Sequence, residues 1–292
     1  MKLSFRFLLA TIGLSALVVS TPDASASDVG IGPCFKGPVG LQLYSLREQF
    51  KKDVPGSFDE VQRFRIKYVE LDGTYKMPPD QYTATLAAHG LKGIAMHFPF
   101  DRLRDDPEGA AREAKALGLK YVGCALIPHE GAFTEKTCRA AAAVFNHAGE
   151  VVAKQGMKVF YHVHGYEFQP FGQGTLFDLL MSETKPRLVS YEMDIFWVVY
   201  PGQDPVKLFQ QYGKRWELVH LKDMKKGTPT GPAAPWPDVN ADVTLGTGQI
   251  DMVSVLRAAK KAGVKWYFIE DESSSSVKQI PETLRFLEQV RW

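Results

Sequence analysis

The sequence predicts an α/β protein built as a single closed (β/α)8 barrel. Three observations carry that expectation: one short phrase recurs along the chain, eight apolar runs of strand length alternate with stretches of helical character, and all of them fit into about 265 residues. The phrase is a glycine that closes a helix, a lysine or arginine within two residues, and then an apolar run. Glycine takes the left-handed cap conformation at low cost, and an apolar run of roughly four to eight residues bounded in this way reads as a buried parallel strand.

Taken in chain order, the first strand is expected at residues 39–43, before a helix whose start is marked by Ser57 with Glu60 three residues later, the spacing of a capping box. The second strand falls at 67–71, and its helix opens at Pro78-Pro79-Asp80. Gly90-Leu91-Lys92 introduces the third strand at 93–98, and Gly118-Leu119-Lys120 the fourth at 121–127. Thr134 stands ahead of an alanine-rich helix running to Val152, after which Gly156-Met157-Lys158 leads into the fifth strand at 159–163. The sixth is expected at 187–193. Gly213-Lys214-Arg215 precedes the seventh at 216–221, and Gly263-Val264-Lys265 the eighth at 266–269. An open doubly wound sheet is the competing arrangement, but the first βα turn, 44–54, lacks the glycine-rich phosphate fingerprint of such sheets. Between the seventh and eighth strands, residues 224–248 are rich in Pro, Gly, Thr and Asp and far exceed a usual βα loop, which marks a lid or binding loop.

Lys2 and Arg6 precede an apolar stretch at 7–20 that is too short to remain in a bilayer, and Ala24-Ser25-Ala26 has the small-x-small form cut by signal peptidase. A signal peptide at 1–26 and a barrel domain at 27–292 are therefore expected, in a periplasmic or secreted protein with no membrane segment after cleavage. An uncleaved anchor is the alternative. A formal net charge of +2, with Lys and Arg spread along the chain, gives no basic stripe for phosphates and argues against a nucleic-acid partner. Cys34, Cys124 and Cys138 are odd in number and lack metal-finger spacing, which excludes a disulfide framework while leaving one bridge open. Cys124 lies in an apolar run and reads as a buried, inert thiol.

In such a barrel the chemistry sits where strands end. Polar residues interrupt the runs at Gln42 and Tyr44, at Glu70 and Asp72, at His97, and at His162, His164 and Glu167. The last three strands add Glu192 and Asp194, then His220, Lys222 and Asp223, then Glu270, Asp271 and Glu272. Four of the seven histidines fall at strand ends. Asp194, His220 and Glu270 occupy equivalent places on three successive strands and are expected to converge on a shared cation. Mixed carboxylate and imidazole donors suit Mn²⁺, Mg²⁺, Co²⁺ or Zn²⁺. Glu167 and His162 compete for the fourth place. Alternation puts His220 with Lys222, and His162 with His164, on common strand faces. Lys222 reads either as a proton-transfer group or as a salt bridge to Asp223 or another strand-end carboxylate.

The ordered segments Tyr161-His162-Val163-His164-Gly165-Tyr166-Glu167-Phe168, Asp194-Ile195-Phe196-Trp197-Val198, Pro201-Gly202-Gln203-Asp204-Pro205, His220-Leu221-Lys222-Asp223, Leu245-Gly246-Thr247-Gly248-Gln249-Ile250-Asp251 and Ile269-Glu270-Asp271 resemble the xylose-isomerase-like TIM barrel superfamily, in its sugar phosphate isomerase/epimerase branch. The resemblance implies a Glu, Asp, His, Glu metal set, of which Asp194, His220 and Glu270 take the last three places. Two departures stand out: Val163 replaces a usual Asn, and His162 sits where sugar epimerases commonly carry the first glutamate ligand. The implied function is metal-assisted proton abstraction next to a sugar carbonyl, with Glu270 as ligand and base and His162, His164 or Lys222 handling the second proton. Gln42, Tyr44, Glu70, His97 and Trp197 are the candidate substrate contacts. Isomerisation or epimerisation is the leading outcome, and elimination or cleavage of 3-keto-glycosides the alternative. The substrate would be a small sugar or keto-glycoside, with homo-oligomerisation left open. A non-catalytic carbohydrate-binding barrel and an abasic-DNA phosphodiesterase are the rival classes, and the second would need a three-metal cluster with many more histidines.

Overall fold

A computed structural model describes residues 29–292, so the expected export signal at 1–26 lies outside the described residues. Eight parallel strands close into a barrel: β1 Val39–Gln42, β2 Tyr68–Leu71, β3 Lys92–His97, β4 Tyr121–Cys124, β5 Lys158–His162, β6 Val189–Asp194, β7 Trp216–Leu221 and β8 Trp266–Ile269. Each pairs with its chain neighbours, and β8 closes on β1 through Gly40 opposite Phe268. The sequence-expected strands all appear within a few residues of their expected bounds. All five glycines of the recurrent phrase, Gly90, Gly118, Gly156, Gly213 and Gly263, have positive φ, as a helix-closing glycine should.

Helices α1 Val54–Arg63, α2 Pro79–Ala88, α3 Pro107–Ala116, α4 Glu135–Ala153, α5 Leu176–Glu183, α6 Pro205–Tyr212, α7 Met252–Ala262 and α8 Ser276–Gln289 surround the sheet. Pro79 and Thr134 start α2 and α4 as expected, with the Thr134 side chain accepting from Thr137 N. The capping box expected at Ser57 and Glu60 does not form. Asp53 caps α1 instead, accepting from Gly56 N, and the Ser57 hydroxyl turns back onto Asp53 O. Asp53 supplies the acceptor four residues earlier, and Pro55 fits the first turn without a backbone N–H. All three cysteines are free, with Cys124 and Cys138 buried. Among the described residues no helix is long and apolar enough to cross a membrane.

The two-residue period of the strands builds the barrel interior in layers. Leu218 and His220 on β7, with Lys222 just past its end, follow one another on the inner face; Trp266 and Phe268 on β8, with Glu270 just past its end, do the same. The lower positions, with Phe160, Tyr121 and Ile94, form a buried apolar plug. Gly40 and Gly123 make room for it: a Cβ at Gly40 would lie 2.6 Å from the Phe268 ring, and one at Gly123 2.2 Å from that of Phe160. Glu70, His162, Glu192, Asp194, His220, Lys222 and Glu270, above this plug, are therefore held in a poorly solvated layer at the C-terminal mouth. The strand register shifts at Val69/Glu70 and at Tyr191/Glu192, irregularities that re-aim side chains beside a site.

The long segment after β7 is ordered. Asp223–Met224 pairs antiparallel with Asp242–Val243, and the Asp223 carboxylate gathers the backbone N–H groups of Met224, Gly246, Gly248 and Ile250 at 2.7–3.3 Å. This knot anchors the base of the loop and carries its middle over the barrel mouth.

Candidate active site and metal centre

His162 ends β5 with its ring buried between two carboxylates: Nδ1 is 3.0 Å from Glu192 Oε2, and Nε2 is 3.9 Å from Asp194 Oδ2. Asp194 ends β6. Its Oδ1 accepts from Trp197 N at 3.0 Å, capping the short helix Ile195–Val199, and its buried Oδ2 has no hydrogen-bond partner. His220 on β7 directs Nδ1 toward Glu270 Oε2 at 3.1 Å and Asp194 Oδ2 at 3.7 Å. Its Nε2 faces Glu192 Oε2 at 3.2 Å and Glu70 Oε1 at 3.3 Å. Glu192 thus meets the outer nitrogens of two imidazoles whose inner nitrogens face Asp194, the carboxylate–histidine arrangement that fixes ligand tautomers around a metal.

One donor atom each from His162, Asp194 and His220 lie within 4.8 Å of one another. Two further clusters meet the same spacing, His97 with His162 and Glu192, and Glu70 with Glu192 and His220. Asp194 Oδ2, Glu192 Oε1 and Glu70 Oε2 are all without a hydrogen-bond partner, and the first cluster is the better cation site because Asp194 Oδ2 faces a nitrogen of both His162 and His220, at 3.9 and 3.7 Å, while Glu192 Oε2 is already spent on three imidazoles. A buried unpaired carboxylate oxygen is costly, and four buried carboxylates, Glu70, Glu192, Asp194 and Glu270, crowd this layer. The mixed nitrogen and oxygen donors fit a divalent ion of the Zn²⁺, Mn²⁺ or Co²⁺ kind.

Charge in the layer is strongly ordered. Burial disfavours a charged Lys222, yet Asp242, Glu270 and Asp194 together raise its pKa well above the ordinary value. Its Nζ lies 2.5 Å from Glu272 Oε1, 3.2 Å from Glu270 Oε2 and 3.6 Å from Asp242 Oδ2. Asp223, offered by the sequence as a partner, is occupied by the loop knot instead. Burial likewise opposes ionisation of Glu270, and Lys222 and His220 overcome it, holding the carboxyl well below the usual range. His97 is pushed to about 10 by Glu70 and Glu192 against the cost of burial. His164 goes the other way: burial lowers it to about 4. Its ring is partly open to the cavity, and Nδ1 is buried with no partner.

A cavity of about 460 Å³ opens above the cluster, lined by Gln42, Tyr44, His97, His162, His164, Trp197, Lys222 and Glu270 among others. Two sequence expectations change here. Glu70 is fully buried beneath the cavity, with Oε1 engaged by Gln42 Nε2 at 2.6 Å, His97 and His220, so it supports the layer rather than facing substrate. Glu167 is not with the cation cluster: its carboxylate meets the Tyr161 hydroxyl and His164 N, on the outward face of β5. Tyr161 alternates with the inward His162, so the loop that carries Glu167 folds back over the wrong side of the strand. The roles of Asp242 and Trp236 went unread, since neither lies on a strand of the barrel and the loop carrying them has no periodicity. Glu192 carries a better signal, two residues before Asp194 on the same face.

A model of the xylose isomerase-like TIM barrel family matches residues 58–290. The chain belongs to the xylose isomerase-like TIM barrel family. Among curated family relatives, an inosose dehydratase of Clostridium botulinum is 29% identical over 162 residues, covering 50% of each chain. This chain thus spans about half the length of that relative. Among solved structures, a sugar phosphate isomerase/epimerase of Parabacteroides distasonis superposes with a TM-score of 0.71 at 21% identity, covering 86% of this chain and 93% of that one. An IolI protein with a binding zinc atom superposes at 0.66 with 15% identity, over 86% and 95% of the two chains. At these identities the structural likeness establishes the shared barrel.

Proposed function

We propose that this chain is a divalent-metal-dependent enzyme that removes a proton next to the carbonyl of an unphosphorylated, sugar-like substrate and then expels a β-substituent. The observation that carries the reading is the convergence of His162, Asp194 and His220, with Asp194 Oδ2 unpartnered and Glu270 beside His220. His162, Asp194, His220 and Glu270 would hold the ion, which when bound supplies the Lewis acidity that polarises a carbonyl. That the zinc-bearing IolI protein shares the barrel supports a metal here.

The chain's own residues divide the remaining work. Glu270 Oε2 is engaged by both His220 and Lys222, which occupies the oxygen and shifts the base from Glu270, the residue the sequence favours, to His164, whose ring is neutral and unengaged although burial lowers its basicity. The His164 ring is open to the cavity and its nitrogens have no protein partner among the described residues. In the proposed step the proton passes from carbon to His164, and the bond from the β-carbon to oxygen breaks with its electron pair on oxygen. The departing oxygen takes a proton from the same ring, leaving an α,β-unsaturated ketone and water or an alcohol. Lys222, locked as a cation, stabilises negative charge that develops on the substrate.

Elimination is preferred to isomerisation or epimerisation for two reasons. His162 stands where a two-glutamate mechanism needs a carboxylate, and the curated relatives carry dehydratase names. The cavity's charge supports an unphosphorylated substrate: Lys222 is its one lysine or arginine among the described residues, and carboxylates already surround it. The export signal expected at 1–26 would place this chemistry in the periplasm or outside the cell. Incubating metal-loaded protein in D₂O with keto-sugars and 3-keto-glycosides tests the reading. Enone absorbance growing in, with deuterium next to the carbonyl of recovered substrate, supports it. Neither signal with any substrate, despite a bound ion, rejects it in favour of a binding barrel.

A further inference from the structure

Large apolar side chains left exposed on a folded chain are ordinary when scattered and informative when they gather. Among the described residues there are four: Tyr44 at 39% exposure, Leu126 at 58%, Val239 at 50% and Trp236 at 72%. All four line the same cavity, the one above the cation cluster. They come from three different loops, those after β1, β4 and β7, so no single loop's composition explains their meeting.

Trp236 is also held in place. Its ring lies 4.8 Å from that of Trp197 at 34°, and its edge meets Tyr200 at 5.9 Å. Tyr200 ties down the loop on both sides of its own ring, its hydroxyl donating to Ala234 O at 2.9 Å and its carbonyl accepting from Gly231 N at 2.8 Å. A fixed aromatic ring offers contact area with little entropy left to lose. The cavity therefore has a polar floor of Gln42, His97, His164 and Glu270 and an apolar rim. Its volume falls within the range of roughly 300–1,000 Å³ usual for pockets that take drug-sized ligands.

We propose that the rim is a subsite for an aromatic aglycone: the substrate lays its sugar ring over the polar floor and a flat apolar ring against Trp236, Leu126 and Val239. This rests on the cavity being the substrate site and narrows the substrate from free keto-sugars to keto-glycosides that carry an aryl group. The continuity of rim and floor in one cavity favours that occupant over a second copy of the chain.

Calorimetric titration of the full chain supplemented with Mn²⁺ tests it, using phenyl and methyl β-glucosides, neither of which carries the carbonyl needed for reaction. The phenyl glucoside is expected to bind about tenfold more tightly than the methyl glucoside. Trp236→Ala and, separately, Leu126→Ser should each reduce that ratio to about threefold or less. Equal affinities, no binding of either glucoside, or a ratio unchanged in both variants overturns the subsite. Equal affinities together with a dimer that Trp236→Ala dissociates would assign the rim to a subunit interface. Because these ligands do not react, failure of the elimination chemistry leaves the outcome unaffected, and loss of phenyl selectivity leaves the chemistry standing.

Discussion

His162 Nδ1 lies 3.0 Å from Glu192 Oε2, and the same oxygen is 3.2 Å from both His220 Nε2 and His97 Nε2. One buried carboxylate thus sets the orientation of three imidazoles, two of which turn their other nitrogens toward Asp194. Glu192→Gln replaces an acceptor for three N–H groups with an amide that cannot serve them all. Metal affinity should fall about 10- to 100-fold, read by competition with a chelator. Unchanged affinity would reduce Glu192 to packing.

Glu167 and His162 separate cleanly. Glu167→Gln should leave metal content as in the parent chain and cost about 1–3 kcal/mol of stability, since its buried partners Tyr161 and His164 N lose a charged acceptor. His162→Ala should lower metal content. Metal stoichiometry and urea unfolding of the two variants decide between them, and metal loss in Glu167→Gln alone would reverse the assignment.

His164→Ala should slow deuterium exchange into a keto-sugar by about 10²–10⁴-fold while the ion stays bound. Exchange at the parent rate would return the base to Glu270.

At the opposite end of the barrel, Glu217 accepts from Tyr121, Lys158 and Lys265 at 2.8–2.9 Å. Burial raises its pKa, but the hydrogen bonds from Lys158 and Lys265 outweigh this and leave it below the usual 4.5. A carboxyl with a folded pKa below its unfolded one stabilises the fold above the unfolded value, and that contribution is lost as pH falls through the folded one. Glu217→Gln should therefore be less stable than the parent by about 1–3 kcal/mol at pH 7, and the gap should narrow below about pH 4.5. Urea melts at neutral and acid pH check this, and a gap that widens on acidification would contradict it.

The barrel was legible because its signals are local and repeated. Gly118 or Gly156 marks a helix end by its own backbone preference, and the apolar runs that follow need no knowledge of the rest of the chain. Asp194, His220 and Glu270 were legible for a related reason, since strand ends in a barrel share one mouth. Glu167 was misplaced because its distance from His164 in sequence says nothing about which side of β5 the loop takes, and the buried Tyr161 hydroxyl decides that. Glu70 looked like a substrate contact from its place on β2, but the Gln42 and His97 side chains cover it. Asp242 and Trp236 reach the site through a long loop whose path depends on the Asp223 knot, a set of backbone contacts no side-chain pattern announces.

The central claim is that side chains from β5 to β8 share one divalent ion. Elemental analysis of the metal-loaded, desalted chain tests it most directly, alongside Asp194→Asn and His220→Ala. About one ion per chain is expected in the parent and a small fraction of that in each variant. A parent chain that retains no ion, or variants that retain as much as the parent, would contradict it.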